Sequence, residues 1–356
     1  MRRTCFTLSL ILAGFLVLWS GGFLALRSAD RNPNTALPPD GEDGRELALD
    51  QFRPKSMLNV PEHLLTAAKF HVVDAHTHPL IRMHGSVDAL RDYVRLMDQH
   101  NIAVSVSLDG GMKDAFDEHK KYLWTDYQDR FVILANIDWR GQGQADKPET
   151  WDCQRPDFGR RTATELARLK KEGASGLKVF KDLGLIYRNP DGTFIRVDDP
   201  RWDPIWAACG ELQMPVLIHT ADPVAFFLPI DRFNERWEEL KRHPDWSFAR
   251  PGYPAYEELI GQFIHIVERH PQTKFIGAHV AGSAEDLGRV SQWLDKYSNL
   301  YVDIAARIGE LGRQPYTARE FFLKYSRAVL IPSFYVRFRE GRPRAARRPT
   351  VMALIF

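Results

Sequence analysis

From about residue 70 onward the chain alternates short β-branched or apolar runs with longer amphipathic stretches, and no other feature constrains its fold as strongly. The runs Phe70–Asp74, Ala103–Leu108, Phe131–Ile137, Gly176–Phe180, Pro215–His219, Lys274–Ala278 and Leu300–Ile304 predict strands, and an eighth begins at Ala328-Val329-Leu330-Ile331. Val87–Gln99, Arg161–Lys171 and Tyr256–Arg269 predict helices between them. In the first of these, Leu90, Tyr93, Val94 and Met97 recur at helical spacing. Repeated βα units imply an α/β fold with a parallel sheet, and this number of them fits a (β/α)8 TIM barrel better than a doubly wound sheet. No Gly-x-Gly-x-x-Gly follows the first run, which removes the main dinucleotide-binding motif.

The barrel region is expected over residues 61–326. Before it, Arg2 and Arg3 precede an uncharged apolar run, Cys5–Leu26, which is long enough to span a bilayer. Residues 1–26 therefore predict a signal anchor, a cleaved signal peptide being the alternative. The short basic leading side would put the catalytic body outside the cytoplasm, held at the cell membrane by a single pass. Residues 27–60, rich in Pro, Asp, Gly and Asn, read as a flexible tether. A formal net charge of +2, with basic and acidic residues interleaved, gives no support to nucleic-acid binding. Cys153 and Cys209 lack paired metal spacing and read as buried thiols, a single disulfide between them being the alternative. Thr220–Pro254 is long for a connection and is rich in aromatic residues, Phe226, Phe227, Phe233, Trp237, Trp246 and Tyr253 among them; it predicts either a lid over the barrel mouth or an insertion packed on its rim.

Val72-Val73-Asp74-Ala75-His76-Thr77-His78 carries the sharpest chemistry. Residues i and i+2 of a strand face the same side, so His76 and His78 at the end of the first strand can converge on one cation in the barrel mouth. Imidazole suits a divalent metal of the Zn2+ kind. His219 and His279 close the fifth and sixth predicted strands and are expected to face the same site. Lys178, inside the apolar Gly176–Phe180 run, predicts either a carboxylated bridge between two metals, an ammonium for an anionic substrate, or a rim salt bridge. Asp303 in the seventh strand is expected to support the site or to orient a ligand histidine, and Asp138 after the third strand is a weaker candidate of the same kind.

Taken in order, Val-Asp-Ala-His-Thr-His, Gly-Leu-Lys-Val, Pro-Val-Leu-Ile-His-Thr, Phe-Ile-Gly-Ala-His and Leu-Tyr-Val-Asp-Ile resemble the amidohydrolase superfamily, specifically its amidohydrolase 2 branch, over about residues 70–330. The resemblance implies a TIM barrel, a divalent metal and a small-molecule substrate. His76, His78 and His219 would be metal ligands, with His279 beside the metal as ligand or proton shuttle. It implies hydrolysis of an amide, ester or lactone by a metal-activated water, or alternatively nonoxidative decarboxylation of an aromatic or unsaturated acid, with Lys178 or Arg307 holding a carboxylate. The branch also uses an aspartate at the end of the eighth strand, and here no aspartate occurs from residue 304 onward. The stretch 327–356 is dense in arginine, free of lysine and holds one acid, Glu340. That composition predicts a frameshifted or truncated terminus, a divergent terminus binding lipid or nucleic acid being the alternative. It leaves open an inactive metal-binding fragment as a third reading.

Overall fold

The computed structural model describes residues 41, 44, 46–59, 61 and 65–330. The expected membrane segment, the start of the tether and the arginine-rich stretch beyond Leu330 lie outside the described residues. Among the described residues no helix is long and apolar enough to cross a membrane. The chain divides into two compact units, residues 1–62 and 63–356. The described residues of the first are exposed and hold one turn, in which Gln51 and Phe52 donate their amides to the Ala48 carbonyl.

The second unit is a TIM barrel. Its strands are β1 (Val72–Thr77), β2 (Ile102–Ser107), β3 (Phe131–Asn136), β4 (Gly176–Val179), β5 (Val216–Ile218), β6 (Phe275–Gly277), β7 (Leu300–Asp303) and β8 (Val329–Leu330), hydrogen-bonded in that order and parallel throughout. Between successive strands lie the principal helices α1 (Val87–Gln99), α2 (Asp114–Tyr127), α3 (Phe158–Lys171), α4 (Asp203–Glu211), α5 (Tyr256–Arg269), α6 (Leu287–Lys296) and α7 (Pro315–Lys324). Among the described residues no ladder joins β8 to β1, so the barrel keeps one unsealed seam.

Strand alternation sorts side chains between two cores. Leu177 and Val179 of β4 pack outward with Leu166 and Leu169 of α3 and Trp206 of α4. Leu134 of β3 and Leu217 of β5 belong to a separate interior cluster with Leu108 and Ala278. Lys178 pairs in register with Leu217, and lying between Leu177 and Val179 it faces the barrel interior. A buried apolar strand thus delivers one charged side chain inward.

The expected strand positions hold, with no end displaced by more than three residues. The largest displacement is informative. β1 starts at Val72 and includes His76, and its register against β2 slips between Asp74 and Thr77. The residue pairing is therefore irregular at the very place where simple alternation was expected to align His76 with His78.

The segment 220–254 is a folded excursion. It contains a one-turn helix at Val224–Phe227 and a short helix at Trp237–Arg242. Phe227, Phe248, Tyr253 and Tyr256 form an aromatic string with ring centroids 5.2–5.7 Å apart. Asn234 donates to the carbonyls of Ala225 and Pro229, and Arg236 and Glu235 pair with Glu310 and Arg313 beyond β7. The Asn234 bonds close the segment on itself, and the two ion pairs fasten it to the barrel rim.

Candidate metal centre

Four imidazoles meet at the carboxyl ends of the strands. The ring of His76 lies 5.4 Å from that of His78 and 4.9 Å from that of His279, and His279 lies 4.3 Å from His219. Active sites of this architecture occupy the same end of the barrel.

Asp303, the last residue of β7 and fully buried, organises two of them. Its Oδ2 accepts from His76 Nδ1 at 2.8 Å; its Oδ1 accepts from the backbone N–H of His279 at 2.9 Å and of Ala305 at 3.0 Å. Burial alone would raise the Asp303 pKa, but the neighbouring His76 and His279 outweigh it and hold the carboxyl below its ordinary value. Burial lowers the His76 pKa, so the pair consists of a carboxylate and a neutral imidazole. A carboxylate can only accept, so Nδ1 carries the proton and Nε2 presents its lone pair.

His78 repeats the arrangement one strand over. It lies just past β1, before the short helix Pro79–Met83, and its Nδ1 donates to Asp109 Oδ1 at 2.6 Å. The other carboxylate oxygen of Asp109 caps that helix, accepting from Leu80 and Ile81 amides. Gly110 lets Asp109 sit there, since a Cβ at 110 would collide with the Leu134 carbonyl.

His279 occupies a turn in which it, Val280 and Ala281 all have φ between 53° and 60°, a left-handed conformation that L-residues resist. Its Nδ1 donates to the Ala305 carbonyl at 2.8 Å, which again leaves Nε2 as the free nitrogen. Burial pushes its pKa well below 6.5. His219, just past β5, is pushed down to about 4 by burial against the opposing pull of Asp222. Its Nε2 stands 3.4 Å from Asp222 Oδ1 without hydrogen-bond geometry, and Asp222 itself is held by Lys181 at 2.5 Å.

Lys178 lies below this cluster, and its Nζ has no hydrogen-bond partner among the described residues. The rim-salt-bridge expectation is thereby replaced: Lys178 faces inward and is 1% exposed, with no carboxylate in ion-pair range among the described residues. Asp138 does not join the site. It is exposed, and its carboxylate closes a turn by accepting from the Arg140 and Gly141 amides. Arg307 is buried near His279, with Glu310, Asp222 and Glu285 as its charged neighbours. Cys153 and Cys209 are free buried thiols. A separate cavity of about 430 Å³, lined by Arg196, Tyr253 and Glu258, lies away from the histidines, and its Arg196 is already paired with Asp198 and Glu258.

The chemistry of the donors fits a divalent cation. Among the described residues, potential donor atoms of His76, His279 and Asp303 lie within 4.8 Å of one another, and of the expected ligands His76, His78 and His219 only His76 belongs to that group. His76, His78 and His279 each have Nδ1 consumed by an oxygen acceptor, the support that metal-ligating histidines require to aim Nε2. Asp109, Asp222 and the Ala305 carbonyl were not anticipated. Asp109 at least carries a signal, an acid closing a buried strand before Gly-Gly.

The amidohydrolase family model matches residues 73–331. Among solved structures, a 2,6-dihydroxybenzoate decarboxylase in complex with 2,6-dihydroxybenzoate shares 17% identity at a TM-score of 0.46, over 75% of this chain and 88% of that one. A 2,6-dihydroxybenzoate decarboxylase from Rhizobium shares 18% identity at a TM-score of 0.44, over 75% and 86%. Likeness at these levels says nothing of substrate. The match over residues 73–331 covers most of the sequence, and the chain belongs to the amidohydrolase family.

Proposed function

From that membership we propose that the chain is a metal-dependent hydrolase of an amide, ester or lactone, with the cation, Zn2+ in the first instance, held by His76, His78 and His219. The observation that carries this reading is the repeated oxygen-acceptor support behind the imidazoles of His76, His78 and His279. A bound divalent cation supplies Lewis acidity toward a carbonyl oxygen and brings the pKa of water toward neutrality. The chain's own part is to hold and move protons. His279, with Nδ1 tied to Ala305, is the residue whose Nε2 takes the proton from water as its oxygen bonds to the carbonyl carbon. The same nitrogen returns that proton to the amine or alkoxide as the C–N or C–O bond breaks. Asp303 and Asp109 keep both oxygens on protein N–H groups and act as orienting residues.

The test is metal analysis and turnover on the purified full-length chain. About one equivalent of zinc is expected, lost on His76→Ala or His78→Ala, together with metal-dependent hydrolysis within a panel of esters, lactones and amides. Protein that binds no divalent metal with all four histidines intact would overturn the assignment; metal without turnover would favour a metal-binding remnant. Nonoxidative decarboxylation is the second reading, favoured by the buried cations Lys178 and Arg307 beside the histidines. Release of CO2 without uptake of water distinguishes it.

We also assign the catalytic body to the outer side of the cell membrane, on the sequence of residues 1–26 alone. Protease accessibility in intact cells checks it, and protection there would sink it.

A further inference from the structure

Three of the four imidazoles at the barrel mouth have an oxygen bonded to one ring nitrogen, and His219 is the exception. Its Nε2 is buried and makes no hydrogen bond among the described residues. A buried polar atom without a partner is costly, and one kept in a native site calls for an explanation. A carboxylate oxygen, Asp222 Oδ1, stands 3.4 Å from that nitrogen. Closing the gap by about half an ångström would make an ordinary N–H···O bond.

Asp222 is placed for this. It is buried just past β5, and its other oxygen is fixed by the Lys181 ammonium at 2.5 Å. Lys181 follows β4, so the pair braces two neighbouring loops at the mouth, and the Phe248 ring of the excursion lies 5.6 Å from the same ammonium. Asp109 and Asp303 spend both oxygens on protein N–H groups. Asp222 Oδ1 accepts no hydrogen bond among the described residues and faces the one imidazole that lacks an acceptor. The backbone is bent to bring it there. Ala221 is buried with φ +61°, a left-handed conformation that costs a residue with a Cβ about 1–2 kcal/mol. The Thr220 carbonyl packs so closely on Gly282 that a Cβ there would lie 2.8 Å from it. Such conformations persist where the surroundings over-determine them, and they gather at functional sites.

We propose that Asp222, braced by Lys181, is the positioning residue of His219, accepting the proton of its Nε2 and so fixing how the ring meets the cation. The nitrogen left for a cation is then Nδ1, the reverse of His76, His78 and His279. The inference rests on reading the histidine cluster as a metal centre. A carboxylate behind a ligand imidazole fixes its orientation and raises its basicity, and losing such a partner typically costs about 10- to 100-fold in metal affinity.

The test is zinc competition on the full-length chain, with circular dichroism reporting the fold of each variant. Asp222→Ala is expected to weaken zinc binding about 10- to 100-fold. In a His219→Ala background the same change is expected to have no further effect, because it acts through that ring; a merely structural carboxylate would weaken both backgrounds alike. Asp222→Asn keeps an oxygen that can accept and is expected to fall between Asp222→Ala and wild type. Lys181→Met is expected to cost less than Asp222→Ala, and nothing once residue 222 is alanine. Where the variants do not fold, NMR of wild-type protein with isotope-labelled histidine carries the test. Among the rings whose signals move on zinc addition, one is expected to bear its proton on Nε2 and the others on Nδ1. Undiminished zinc binding by a folded Asp222→Ala, an equal loss in both backgrounds, or zinc-responsive rings all protonated on Nδ1 would each overturn the proposal. Wild-type protein that binds no zinc overturns the metal reading and this proposal with it. Metal binding without turnover counts against the hydrolase reading alone, because affinity is the quantity read.

Discussion

Replacing Lys178 by methionine should make the metal-free protein more stable. Methionine keeps the unbranched stem, which faces the barrel interior in register with Leu217, and removes the charge at its end. Burial lowers the Lys178 pKa from 10.5 to about 8, a difference equivalent to roughly 3 kcal/mol carried by the charged form in the folded state. At pH 7 the lysine is protonated in both states, so wild-type protein bears that full cost and the variant does not. Between pH 8 and 10.5 the unfolded chain binds more protons than the folded one, and wild-type stability rises with pH through this window. The advantage of Lys178→Met is therefore expected at roughly 2–3 kcal/mol at pH 7 and to shrink as pH is raised past 8. Urea denaturation in the presence of a chelator, at pH 7 and pH 9.5, measures both. A variant no more stable than wild type at pH 7 would refute the unpaired-ammonium argument. So would an advantage that stays constant with pH, since a packing gain alone has no such dependence.

Four further outcomes follow from single contacts. Asp303→Asn leaves acceptors for the His279 and Ala305 amides but weakens the hold on His76, and zinc affinity should fall about 10- to 100-fold in a competition assay; unchanged affinity would remove Asp303 from the support of the site. Asp109→Ala strips the acceptor from His78 and from the Leu80 and Ile81 amides, and should lower unfolding free energy by about 1–3 kcal/mol as read by urea titration. His119 is buried with Nε2 on Ser107 Oγ, and burial pushes its pKa down to about 4. The unfolded chain therefore takes up this proton first as pH falls from 6.5 to 4, and His119→Gln should remove on the order of 3 kcal/mol of the acid-side loss of stability over that window; an unaltered acid limb would exclude this residue as a source. Ala306 is exposed at φ +52°, so Ala306→Gly should raise the melting temperature slightly, with a gain of about 1 kcal/mol at most, and a fall would show that the left-handed strain is compensated.

The barrel and the histidines were legible because strands and their carboxyl ends leave a one-dimensional trace. His219 and His279 each follow an apolar run, and such runs have few alternatives in a βα repeat. The supporting acids left no comparable trace. Asp109 and Asp138 both follow buried strands, yet one holds an imidazole and the other closes an exposed turn. The difference lies in the backbone path after the strand, set at Asp109 by Gly110 against Leu134. The inward direction of Lys178 depends on register across three strands, which a single strand's composition cannot supply. The slip in β1 is a property of the pairing with β2, and spacing alone makes the two histidines look like a simple alternation.

The hydrogen bond between His76 and Asp303 joins residues 227 apart in the chain and spans the side of the barrel where β8 and β1 share no ladder. During synthesis His76 leaves the ribosome long before its partner exists. At the usual pace of translation the interval is roughly ten to fifty seconds. Over that time the first histidine of the site has no carboxylate to fix its tautomer. Competence to capture metal thus waits for the seventh strand, ordered in time by where two residues happen to fall in the gene.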